Sequence, residues 1–145
     1  MKSPYASDDD IARVGAGFLD RSLPRDEWTH AAHFAATLWL MRHRPDIDLG
    51  REMPGLIRAF NEAQRKGNEG DTTSYHETIT QASLRAARPF LDANPDLPLF
   101  RILAALLGTE LGNPNWLLQF WSRERLMSVD ARREWQEPDI KALPF

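Results

Sequence analysis

The segment that most constrains this fold is EWTHAAHFAATLWLMRH, residues 27–43. Wound as a helix at about 100° per residue, it has no solvent face. Trp28, Ala32, Ala35 and Trp39 fall on one side, and Phe34, Leu40 and Met41 flank the other, where His30, His33 and Thr37 lie. A helix that is apolar nearly all round is a buried helix, so the rest of the chain has to wrap around it. The two imidazoles and the threonine hydroxyl are therefore expected to line up in the interior or in a pocket opening from it. A buried polar group without a partner costs about 1–3 kcal/mol, so something must meet them.

The wrapping elements also read as helices. Valine occurs only at Val14 and Val129, and no stretch alternates β-branched and polar residues as a strand would. Ser7 with Asp8, Asp9 and Asp10 forms an N-cap and acidic first turn, and Ile11, Val14, Phe18 and Leu19 follow at helical spacing to about Ser22. Helix two is expected from about Pro24 to His43, ending before Pro45. Helix three runs from Asp48 to about Arg65, with Pro54 and Gly55 able to delay or kink it. KGNEGDTTS reads as a loop, and helix four opens at its DTTS end and continues past a kink at Pro89 toward Asn94. LFRILAALLGTEL makes helix five, WLLQFW leads into SRERLM, and Ser128 caps a last short helix. The tail QEPDIKALPF, with two prolines, is expected to lie extended on the bundle. The sequence thus specifies an all-α, single-domain helical bundle of five to six helices with an extended C-terminal tail over residues 1–145.

Composition removes several function classes. A chain of 145 residues can bury a core without disulfides or metals. With no cysteine, thiolate metal sites and cysteine nucleophiles are excluded, and the composition suits a reducing compartment. The amino terminus has no apolar signal region, and the apolar windows are too short to span a bilayer, so a soluble, cytoplasmic protein with no membrane partner is expected. A net charge of −3 with interleaved acids and bases gives no footprint for nucleic acid.

Three of the four histidines fall in two polar-aromatic clusters, EWTHAAH and YHETIT. On helix four, Tyr75, Ile79, Ala82, Ala86 and Phe90 make a core stripe, with His76, Thr80 and Ser83 beside it and Glu77 about 100° further round, where it serves as a first-turn carboxylate. His30, His33, Tyr75 and His76 are thus expected to converge between helices two and four. Two site chemistries suit them. His30 and His33 at i and i+3, with His76, are candidate ligands for a divalent metal ion such as zinc, iron, nickel or copper. Alternatively, Trp28, Thr29, Tyr75 and Thr80 line a small-molecule pocket, walled also by Trp39, in which His30, His33 or His76 is a candidate general base. The competing interpretation is a structural or interaction module whose polar network only sets helix packing. Arg123 or Arg125 offers a place for an anionic ligand, although balanced charges on short helices usually face solvent. His43 suits a helix C-terminus. Trp116, Trp121 and Trp135 serve a homodimer interface as readily as a core.

At EWTHAAH, YHETIT and SRERLMSVDARREWQEPDIKALP the chain resembles a widespread group of small uncharacterised bacterial proteins. The shared blocks are Trp-Thr-His-x-x-His, Tyr-His-Glu-Thr-Ile-Thr and a Ser-Arg-Glu-Arg-Leu segment with a Glu-Pro-Asp tail, spanning about Trp28 to Pro144. The resemblance implies an all-helical domain with the first two blocks as its signature, and no activity. Where that group has Tyr-Asn and Asn-Thr, with a glycine before the tyrosine, this chain reads Phe60-Asn61, Asp71-Thr72 and Ser74.

Overall fold

The computed structural model describes residues 2–65 and 75–145. Within them the chain forms seven α-helices and no strand: α1 (Asp8–Leu19), α2 (His30–His43), α3 (Leu49–Arg65), α4 (Glu77–Asp92), α5 (Leu99–Leu107), α6 (Arg123–Leu126) and α7 (Val129–Arg133). Short 3-10 turns at Arg25–Glu27, Glu110–Gly112 and Trp116–Gln119 link them. The fold is the all-α bundle expected. None of the helices is long and apolar enough to cross a membrane, among the described residues.

α2 is the central element, packed against α1, α4 and α5. Ala31, Ala32, Phe34, Ala35, Ala36, Thr37, Leu38, Leu40 and Met41 are all buried along it, as its circumferential apolarity requires. One core cluster joins these residues to Ile11, Val14 and Phe18 of α1, Ala82 and Ala86 of α4 and Ile102, Leu103 and Leu106 of α5. Burial of each large apolar side chain contributes about 1.5–3 kcal/mol.

The helix starts follow local chemistry. Ser7, Thr29, Ser122 and Ser128 each accept a backbone N–H from the first turn of α1, α2, α6 and α7. The N-cap of α5 is Pro98, which has no capping side chain, and the deficit is met from elsewhere: Asp8 of α1 accepts from the Leu99 N–H at 3.2 Å and the Phe100 N–H at 2.8 Å. Pro54 lies inside α3, and its missing N–H leaves the Gly50 carbonyl without its helical donor. Gln81 of α4 donates to that carbonyl at 3.0 Å, which couples the two helices.

Two boundaries differ from the sequence-based expectation. Residues 25–29 form a 3-10 turn and an extended cap instead of continuing α2 back to Pro24, and Trp28 has φ −85° and ψ 66°. α4 starts at Glu77, with Tyr75 and His76 outside it and His76 extended at φ −132° and ψ 106°. The expected loop and the DTTS helix start lie in residues 66–74, outside the described residues. Residues 134–145 carry no helix. Trp121 Nε1 donates to the Gln136 carbonyl, Ser122 donates through its N–H and hydroxyl to Asp139, and the Ile140 N–H donates to the Phe120 carbonyl.

Candidate functional site

The histidine clusters come apart once the helix boundaries are known. His30, the first residue of α2, turns its ring edge-on to Phe34 at 5.4 Å and donates from Nε2 to the Leu111 carbonyl at 2.7 Å. His33, one turn later, folds back along the helix, with Nδ1 2.6 Å from the Thr29 carbonyl. His76 is the N-cap of α4: its Nδ1 accepts from the Ile79 N–H at 3.2 Å, and its Nε2 donates to the Leu126 carbonyl at 2.6 Å. That pattern requires the neutral imidazole with its proton on Nε2.

The expected convergence of His30, His33, Tyr75 and His76 is therefore replaced by separate engagements. Three backbone carbonyls on three different segments take the three imidazoles. Among the described residues no group of three or more His, Asp or Glu side chains is placed to hold a metal ion. The metal-ligand expectation for His30, His33 and His76 is corrected on that geometry. The spacing of His30 and His33 on one helical turn is real, but His76 is not helical, and each ring is engaged by a different main-chain carbonyl.

What the structure does assemble is a cavity of about 60 Å³ walled by α1, α2, α3 and α4. Phe18 and Trp28 contribute aromatic walls. His33, Ala36 and Thr37 form the α2 wall, Met53 and Ile57 face it from α3, and Ile79, Thr80, Ser83 and Leu84 complete it from α4. Of the expected pocket residues, Trp28 and Thr80 line this space and His33 is its imidazole. Thr29 instead caps α2 and supplies the carbonyl that orients His33. Tyr75 donates its hydroxyl to Glu77, beneath the Arg58 guanidinium 4.7 Å from its ring, and burial followed by the Glu77 contact pushes its pKa up. Trp39 is not a wall of the cavity; its ring lies against Gly15 of α1.

The position of Trp28 explains the placement of His33. Because Trp28 precedes the helix, it escapes the helical projection and swings onto the His33 side, with ring centroids 4.0 Å apart. It stacks on Phe18 at 4.8 Å with an interplanar angle of 3° and meets Phe60 edge-on at 5.0 Å. This aromatic platform is rigid by virtue of its packing. The His33 side chain keeps solvent-accessible area although protein surrounds its ring closely. Desolvation by those surroundings pushes its pKa down, the Thr29 carbonyl opposes this, and His30 adds a smaller downward push. His33 is consequently neutral at pH 7, with its proton held on Nδ1 by the carbonyl. Nε2 then presents a lone pair, and no described residue donates to it.

Ser83 and the α3 residues Met53 and Ile57 were absent from the site residues singled out in the sequence. Ser83 was legible as Thr80 plus three on the same helix face, and the α3 wall required knowing which helices pack together. No protein-family model matches the chain, and comparison with curated proteins and with solved structures gives no match.

Proposed function

We propose that this protein binds a small, mostly apolar molecule in the cavity between α1, α2, α3 and α4, with His33 Nε2 as the group that receives a proton or a hydrogen bond from it. The reading includes a cytoplasmic location, for which the cysteine-free composition is suited. The observation that carries it is the setting of His33: Nδ1 is fixed on the Thr29 carbonyl, the ring is braced by Trp28, and the residue lines a mostly apolar cavity, which leaves Nε2 as its uncommitted nitrogen. A neutral imidazole with one committed nitrogen and one available lone pair is the arrangement a general base requires. Trp28 supplies a flat wall and Thr80 a hydroxyl, as small-molecule sites in bundles commonly have.

The structural alternative applies to the other two histidines. His30 and His76 each hold a backbone carbonyl far away in sequence, Leu111 and Leu126, and His76 also caps a helix. Those contacts account for both residues as packing devices, so the binding reading rests on His33.

The test is a fragment screen by NMR on protein with ¹⁵N-labelled histidine, using molecules of about four to eight heavy atoms. Ligands of this site shift the His33 Nε2 resonance and leave His30 and His76 unmoved. His33→Phe, which keeps an aromatic ring against Trp28, removes the binding. Fragment binding that persists unchanged in His33→Phe sinks the assignment.

A further inference from the structure

The hydroxyl groups around the cavity give it a hydrogen-bonding polarity. Thr37 donates its hydroxyl proton to the His33 carbonyl at 2.8 Å, and Thr80 donates its own to the His76 carbonyl at 2.9 Å. Both are i to i−4 bonds within or at the start of a helix, which fix the rotor and leave only oxygen lone pairs for anything else. His33 commits its one proton to the Thr29 carbonyl and likewise has a lone pair remaining. Three polar side chains on two facing helices therefore have acceptor capacity and no free proton, in a cavity whose other walls are mostly apolar. Of the hydroxyls on the described residues that line the cavity, that of Ser83 has no hydrogen bond fixing its direction, and it can donate or accept.

From this pattern we infer that the cavity selects ligands that donate hydrogen bonds: small, uncharged, flat molecules bearing N–H or O–H, with pyrrole-type azoles as the best-matched class. The inference rests on the proposed function and deepens it. An acceptor-only molecule placed against His33 and the two threonines sets lone pair against lone pair and forfeits the water that solvated them. A donor of the same shape satisfies Nε2 directly. The space of about 60 Å³ holds a few water molecules or a ring of about five heavy atoms, and Trp28 sets the flat face. A charged donor is disfavoured because, among the described residues, no carboxylate lines the cavity to accompany it inside.

Pyrrole and furan test this, since both are flat five-membered rings of nearly equal size and differ at N–H against O. Their affinities are measured at pH 7.5 by chemical-shift titration of the intact protein, following the His33 side-chain nitrogens. Pyrrole is expected to bind about two- to tenfold more tightly than furan, the range one net hydrogen bond supplies. In His33→Phe the two rings bind equally or not at all, whereas Ser83→Ala keeps the preference for pyrrole. Furan binding as tightly as pyrrole in the wild-type protein overturns the donor selectivity while leaving the pocket in place. Neither ring shifting the His33 resonances up to solubility overturns the binding reading itself, the cavity then holding water only. A preference that vanishes in Ser83→Ala and survives in His33→Phe overturns the assignment to His33.

Discussion

The His33 ring and the Trp28 indole lie 4.0 Å apart at an interplanar angle of 35°, with His33 Nδ1 held by the carbonyl of the intervening Thr29. This short loop of contacts sets both the orientation and the protonation state of the imidazole. Burial lowers the pKa, so the neutral form persists below pH 6.5, where an ordinary histidine is already half charged. The His33 Cε1–H titration should therefore have its midpoint below that of a model histidine. Trp28→Ala opens the site to water and should move it back upward. Ligand binding that needs the Nε2 lone pair should be constant above the midpoint and disappear as pH falls through it. A midpoint above 6.5 would show that the surroundings stabilise the imidazolium, opposite to the desolvation that sets His33 here.

His76 gives a second, separable pH effect, this one on stability. As N-cap it needs an unprotonated Nδ1 to accept the Ile79 N–H, and Nε2–H to reach the Leu126 carbonyl. Desolvation lowers its pKa, and the neighbouring Arg132 lowers it further against the opposing hydrogen bond to Leu126. The folded-state pKa thus lies below the unfolded value of about 6.5, so unfolding takes up a proton in between. The contribution to stability is fully present above about pH 6.5 and is lost as pH falls through the folded pKa. Its slope is at most about 1.4 kcal/mol per pH unit. His76→Asn preserves a capping acceptor and removes the titration, so its melting temperature should fall less between about pH 7.5 and 5 than that of the wild-type protein. His76→Ala should lose about 1–3 kcal/mol at neutral pH, because a cap and a carbonyl partner go together. Parallel acid curves for wild type and His76→Asn would rule out this role.

The bundle and its central helix were legible because periodicity and capping are local. α2 is apolar all round, Ser7 and Ser128 cap where expected, and Glu77 does sit in the first turn of α4. The site was only partly legible. A shift of a few residues in two helix starts moved Trp28 onto the His33 side and put His76 and Tyr75 outside their helix, which dissolved the expected cluster. The main-chain carbonyls that hold His30 and His76 come from Leu111 and Leu126, 81 and 50 residues distant, and no side-chain pattern announces a carbonyl. The same holds for Asp8, which looks like an ordinary first-turn acid of α1 and also supplies the missing cap of α5.

Thr78 was overlooked in the sequence for a similar reason. It is completely buried, and its hydroxyl lies 2.7 Å from the Ala131 carbonyl and 3.0 Å from the Glu134 carbonyl while accepting from the Gln136 N–H at 3.2 Å. One side chain thereby ties α4 to the end of α7 and to the segment that follows. Thr78→Val keeps the shape and removes every one of these bonds, leaving buried main-chain groups without their partner. A loss of about 1–3 kcal/mol in denaturant unfolding is expected, with faster amide exchange at Gln136. A valine variant as stable as the wild type, with Gln136 equally protected, would mean that the hydroxyl contacts are idle.

Gly15 and Trp39 define the contact between α1 and α2. A Cβ added to Gly15 would lie 2.5 Å from Cδ2 and Cε3 of the Trp39 indole, far inside van der Waals contact. In a helix interior glycine is worse than alanine by about 0.5–1 kcal/mol, so on backbone grounds alone Gly15→Ala should stabilise α1. The ring contact reverses the sign. Two packed helices and a flat indole cannot yield by about an ångström without disturbing the core, and overpacking of this kind costs about 1–3 kcal/mol. Gly15→Ala is therefore expected to destabilise the protein despite its higher helix propensity. Trp39→Leu removes the obstructing ring, and in that background the same alanine should be neutral or stabilising by up to about 1 kcal/mol. The double-mutant cycle isolates the contact as a coupling of about 1–3 kcal/mol. Additive effects of the two substitutions would show that glycine is required at this position by something other than the indole.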